Sequence, residues 1–233
     1  PAPRGCAGRR RWVARVVTRG LRALGLVGAV LAASMARAES RSIEGWGRVT
    51  VFGGYRWVPN WYFADKAAEA GTPMLRPSAG GPQGGASFGY GAFAFVEVAI
   101  DLLIGYETFE LQGLQPFSSV TYGGLIGPRL TGVDVLFNGF SPYLGVQFGP
   151  VLSTVSSASL TQREKLQGAV AVSGGFNYRF SDRFAFNLDV RWMLARHYVD
   201  PVAGANVGGV WFSAGFTMFF APSPKRDLDV PGF

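Results

Sequence analysis

Residues 183–194 read RFAFNLDVRWML. Phe184, Phe186, Leu188, Val190, Trp192 and Leu194 alternate with Ala185, Asn187, Asp189, Arg191 and Met193. A period of two is the pattern of an extended strand, with one apolar face and one mixed, mostly polar face. The side on which the apolar face lies decides the fold. In a soluble protein it is the core; in a protein that lives in lipid it is the outer wall.

The same alternation recurs along the chain. Val49, Val51, Tyr55 and Trp57 oppose Arg48, Thr50, Phe52 and Arg56 in 47–57; Ile100, Leu102, Ile104 and Tyr106 oppose Asp101, Leu103, Gly105 and Glu107 in 99–109. Further stretches at 120–130, 143–153, 166–180 and 207–220 repeat it, which with the opening stretch gives seven strands. An eighth fits 87–98, where Phe88 and Tyr90 are out of step with Phe93 and Phe95. A bulge or a glycine kink there resets the phase. The connections expected between strands are a Pro- and Gly-rich loop at 58–86, a tight turn near 96–98, and a loop at 110–118. A turn at Asn138-Gly139, a polar loop at 153–165, a turn at 181–183 and a loop at 198–206 complete the set. Long and short connections on opposite ends suit a transmembrane barrel, and place both chain ends on the short-turn side.

Volume selects the orientation. An eight-stranded barrel has an interior that side chains just fill. The Phe, Tyr, Trp and Leu set is too bulky for it, whereas Gly, Ala, Ser, Thr, Asn and a few charges fit. The bulky set therefore faces out, where water penalises it at roughly 25 cal/mol per Å². Lipid does not, and a closed barrel leaves no strand edge unsatisfied there. A soluble two-sheet sandwich buries the same residues, but it leaves the loop pattern and the aromatic strand ends unexplained. Those ends carry Trp57, Trp61, Tyr62 and Trp192 toward one side, and Phe137, Phe140, Phe180, Phe184 and Phe220 toward the other, as expected of interfacial girdles.

The formal charge of +7 is concentrated at the start of the chain. Residues 1–38 hold eight arginines and no acid, so the remainder is close to neutral. Without a basic surface to displace counterions, a nucleic-acid partner is not expected. The arginine-rich head leads into the uncharged run ALGLVGAVLAASMA (23–36), too short to span a bilayer as a helix. It ends at Ala36-Arg37-Ala38, the small-x-small pattern of a signal cleavage site, with cutting expected after Ala38. The expected organisation is a signal peptide (1–38), a short segment (39–45), the barrel (46–220) and a short tail (221–233). The single cysteine, Cys6, lies in the signal segment. No disulfide, thiolate metal site or cofactor is expected of the mature chain.

The signal segment, the alternating strands and the closing strand VGGVWFSAGFTMFF (207–220) resemble the small OmpA/OmpX-type outer-membrane β-barrels of Gram-negative bacteria. The resemblance implies an all-β, antiparallel, up-and-down barrel of about eight strands in the outer membrane. It implies recognition of the last strand, with its terminal aromatic Phe220, by the barrel assembly machinery. Here the chain continues past Phe220 with APSPKRDLDVPGF.

The inward set carries Arg48, Arg56, Asp101, Glu107, Arg129, Arg179, Asp189 and Arg191. Unpaired charges in a narrow lumen are costly, so a paired network that plugs the barrel is expected. A narrow channel for small solutes is the first alternative, with the arginine excess favouring anions. A lipid-modifying enzyme is the second, because His197 lies near Asp200 and a serine from another loop would complete a triad. No serine is singled out, and no turnover is expected. Asn60-Trp61-Tyr62-Phe63 is a candidate surface-binding element on loop 58–86, and GGPQGG reads as a flexible loop. The expected role is structural or interactive, with outer-membrane lipid and an unidentified surface partner.

Overall fold

A computed structural model describes residues 42–59, 64, 67–69, 71, 74–76, 80–111, 116–133, 139–157, 160–196, 206 and 208–221. The strands are β1 (Gly47–Trp57), β2 (Met74–Arg76), β3 (Gly81–Phe93), β4 (Val96–Leu111) and β5 (Phe117–Thr131). They continue with β6 (Phe140–Ser157), β7 (Leu160–Arg179), β8 (Phe184–Ala195) and β9 (Gly209–Phe220). Eight of them, all but β2, close into an antiparallel barrel in the order β4-β3-β1-β9-β8-β7-β6-β5 and back to β4. Closure of first on last strand runs from Gly47↔Phe220 to Trp57↔Val210. Both ends of the barrel chain therefore lie at one rim, here the turn end. β2 adds to the far end of β4 through Met74↔Leu111.

Three boundaries differ from the sequence reading. Residues 87–98 are not one strand: β3 ends at Phe93, Ala94 and Phe95 make the turn, and β4 starts at Val96. A register shift between Gly91 and Phe93 moves the outward set from Phe88 and Tyr90 to Phe93. Loop 58–86 is shorter than expected, because Gly81-Pro82-Gln83-Gly84-Gly85 already pairs with β1 and is strand. The polar stretch 153–165 is mostly strand as well, held by Ser153↔Lys165 through Ser157↔Leu160. The β6–β7 connection at the loop end is therefore short, while 132–139 at the turn end is longer, and the strict alternation of connection lengths fails. What distinguishes the loop end is how far its strands project. β7 loses its β8 partner at Ala169↔Ala195 yet runs nine residues further to Leu160.

The wall has one unusual seam. β5 and β6 keep a single register from Phe117↔Ser157 to Thr131↔Tyr143, but the pairs around Gly124-Leu125 and Gly127-Pro128 are missing. Pro128 and Pro150 have no N–H to give to the ladder. Each follows a glycine, and the two Gly-Pro pairs sit symmetrically about Ile126↔Phe148. The Val146 and Gly124 carbonyls, opposite the two prolines, closely approach Gly127 and Gly149. A Cβ on either glycine would lie 2.1 Å from that oxygen. Gly127→Ala is expected to force the strands apart and cost about 1–3 kcal/mol, read as a lower urea midpoint for loss of the folded band on unboiled gels.

Candidate functional site

The inward faces of the eight barrel strands meet in one hydrogen-bonded lattice, centred on Asp101 of β4. Arg129 Nη2 reaches its two carboxylate oxygens at 2.7 and 2.6 Å, and Arg191 Nη2 reaches Oδ2 at 2.5 Å. Arg129 Nη1 donates to Ser87 Oγ at 3.0 Å and lies 3.5 Å from Glu97 Oε1. Arg48 donates to Glu97 in turn, at 2.8 Å from Nη2. On the other side Asp189 lies 3.6 Å from Arg191 and accepts from Tyr143 Oη at 2.8 Å. Asn187 donates to Tyr143 Oη and to Asn177 Oδ1; Thr217 joins Asn177 at 3.1 Å and Thr50 at 2.8 Å. Every barrel strand contributes at least one member. The guanidiniums of Arg48 and Arg129 both lie 5.4 Å from the Tyr143 ring, which adds cation–π attraction. A cavity of about 10 Å³ remains among Arg48, Ser87, Arg129 and Tyr143, about the space of one water.

Toward the loop end the lattice gives way to an apolar layer. Phe52, Leu103, Leu125, Val151, Ala169, Ala171, Met193 and Trp211 form one buried cluster inside the barrel. Next to it Arg56 pairs with Glu107 at 2.9 Å, both side chains fully buried, and Arg56 lies 5.3 Å from the Trp211 ring. Trp211 donates its indole N–H to the Gly208 carbonyl. Ala195 of β8 and the fully buried Val58 and Ala67, from the connection after β1, complete the cluster. At the turn end Arg179 lies 4.3 Å from the Phe219 ring and 5.4 Å from that of Trp46.

Of the eight charges read from the sequence, five (Arg48, Asp101, Arg129, Asp189 and Arg191) share the lattice. Arg56 and Glu107 form a separate pair nearer the loop end, and Arg179 stands apart at the turn end. Sequence reasoning missed Glu97, which joins Arg48 to Arg129. Its signal was present: Glu97 is four residues before Asp101 and therefore on the same strand face. With it, four buried arginines face four buried acids among the described residues. The buried charges are therefore balanced, without the arginine excess expected of the lumen; Arg179 is half-buried. Tyr143, Asn177 and Asn187 were also missed as partners, since nothing in a single strand announces which polar groups meet across a barrel.

The outer wall is the reverse of the interior. On β9 Phe216 is 68% exposed, whereas Trp211, on the opposite face of the strand, is 1% exposed. Val51, Ile104, Phe148, Val170 and Val190 continue the apolar surface around the barrel. Water does not tolerate a belt of this extent on a monomer, and the belt is a lipid-facing surface. Of the expected girdle, Trp57 and Trp192 are exposed near the loop end, on rows joined through Val210. Phe180, Phe184 and Phe220 are exposed at the turn end with Tyr90, Phe93, Phe95 and Tyr178. Trp61, Tyr62, Phe137, His197, Asp200, Ala36 and Ala38 lie outside the described residues. Among the described residues there is no group of three His, Cys, Asp or Glu side chains placed to hold a metal ion.

No family model and no curated protein matches the sequence. Among solved structures the chain is similar to the outer membrane protein OprG from Pseudomonas aeruginosa, with a TM-score of 0.52 and 17% identity over 77% of this chain and 98% of that one. It is similar also to Neisserial surface protein A, NspA, with a TM-score of 0.52 and 15% identity over 76% of this chain and 98% of that one. The chain has the fold of the small outer-membrane β-barrels, a closed eight-stranded antiparallel wall with its apolar side outward.

Proposed function

We propose that this protein is an outer-membrane scaffold: a barrel with a filled interior, holding its loop-end strands and connections at the cell surface. The observation that carries this reading is the lattice joining all eight strands, backed by the apolar layer beside it. Eight strands leave room for little more than side chains, and here ion pairs and packed apolar groups occupy that room. Such an interior favours rigidity over passage. The β6–β7 arm, which outruns β8 by nine residues, is the part best placed to meet a partner.

In this reading the turn end faces the periplasm, together with both ends of the barrel chain, and residues 1–38 are removed by cleavage after Ala38. The aromatic strand ends rest at the headgroup level on each side. The barrel assembly machinery reads β9 and its closing Phe220. Outer-membrane lipid is the partner along the belt, and nucleic acid is not a partner. Turnover is not part of the proposal.

Planar-bilayer recording tests the scaffold reading against the channel. The purified, refolded protein is expected to insert without steady single-channel conductance. A stable open level that falls when Arg129 or Arg191 is neutralised would overturn it. An unchanged lipid A profile after deletion of the protein is expected, and a profile that depends on His197 would establish the enzyme instead.

A further inference from the structure

The segment before β1 closes the turn-end mouth of the barrel. Ile43 N donates to the Ala94 carbonyl at 3.0 Å, Gly45 N to the Gly91 carbonyl at 2.8 Å, and Gly91 N to the Trp46 carbonyl at 2.8 Å. Ile43 is buried, Gly45 turns the chain at a φ of 76°, and Trp46 lies 5.4 Å from Arg179. Beneath the segment is a cavity of about 20 Å³, lined by Ile43, Arg48, Glu97, Ser141 and Asn177. The Arg48–Glu97 pair, the outermost part of the lattice on this side, is thus covered by residues 42–46.

We infer that residues 42–46 are a strap that covers the lattice at the turn end, and decides whether solvent there reaches the Arg48–Glu97 pair. The strap is held by its backbone bonds to Gly91 and Ala94, by the Trp46–Arg179 contact and by one buried isoleucine, and it lies beyond the last strand pairs of β1, Gly47↔Tyr90 and Gly47↔Phe220. Peeling it away removes no residue of the named strands, so its displacement is a local event, separable from global unfolding. Gly91 makes the closed position possible. A Cβ there would lie 1.9 Å from the Ile43 carbonyl oxygen and 3.3 Å from its side chain. Gly91→Ala therefore expels the strap by steric exclusion, and Ile43→Asp expels it by removing the apolar anchor.

The test is thiol labelling at Ser141→Cys in a Cys6→Ser background. Ser141 is 2% exposed and lies under the strap. With the strap intact, a water-soluble maleimide is expected to react slowly with the folded protein. In the added presence of Gly91→Ala or Ile43→Asp, labelling is expected to accelerate by an order of magnitude or more, while the heat-modifiable gel shift of the barrel persists. Fast labelling with the strap intact would overturn the inference, and so would equally slow labelling with it displaced. Loss of the folded band in both displaced variants would also overturn it, because the strap would then be part of the wall. The readout is independent of conductance, so failure of the strap inference is distinguishable from failure of the sealed-lumen reading.

Discussion

Asp101→Ala is expected to lower the unfolding free energy by about 3–5 kcal/mol, the range for breaking a buried pair by removing one partner. The size follows from the position of Asp101. It accepts the shortest contacts of both Arg129 and Arg191, and all three side chains are nearly inaccessible. Once its carboxylate is gone, Arg129 keeps Glu97 at 3.5 Å and Arg191 keeps Asp189 at 3.6 Å, both longer contacts. Two buried cations are then left under-compensated, and their desolvation is no longer offset. Asp101→Asn retains an acceptor oxygen and is expected to lose less. Asp182→Ala, at an exposed turn, is the control and is expected to stay within about 0.5 kcal/mol of the parent. Urea titration in lipid vesicles, followed by the heat-modifiable gel shift, measures all three. An Asp101→Ala midpoint equal to that of the control would show that the lattice contributes nothing to holding the wall together.

How much of this was readable beforehand depends on the strand. Period two placed Asp101, Arg129, Asp189 and Arg191 on inward faces, because apolar neighbours at alternate positions fix which way each residue points. It did not say which arginine meets which acid. Those contacts depend on register and stagger around a closed wall, and a single strand carries neither. Arg129 and Arg191 converge on Asp101 from β5 and β8, strands that do not pair with each other. Glu97 was lost for a local reason: the outward phase changes between Tyr90 and Phe93, and the strand assignment across 87–98 hid the turn at Ala94-Phe95. The β6–β7 arm was lost for a different one. Beyond the end of β8, Glu164, Lys165 and Leu166 are all exposed, so neither face of that hairpin carries an apolar stripe. Without one, Ser153–Lys165 reads as a polar loop, although its backbone pairs continuously. The two Gly-Pro pairs were visible as letters, but their placement opposite one another was not, since it too is a matter of register.

Charge placed on the outer wall separates lipid from water as the surrounding medium. Val190 and Phe184 both point outward from β8 and are similarly exposed, at 49% and 44%. On a water-facing surface Val190→Arg and Phe184→Arg would be equally mild. In a bilayer they differ, because Val190 lies near the middle of the strand and Phe184 at its turn-end limit. Val190→Arg is expected to cost about 2–4 kcal/mol and Phe184→Arg about 0–1 kcal/mol, the dependence on depth found for arginine on lipid faces. The same urea titration in vesicles supplies both numbers. Equal costs at the two positions would remove the lipid belt, and with it the inversion that lets a chain expose Phe216 while burying Arg129 and Asp101. A steep gradient would place the hydrocarbon core across the centre of β8, and would leave the lumen lattice as the polar interior of a membrane-spanning wall.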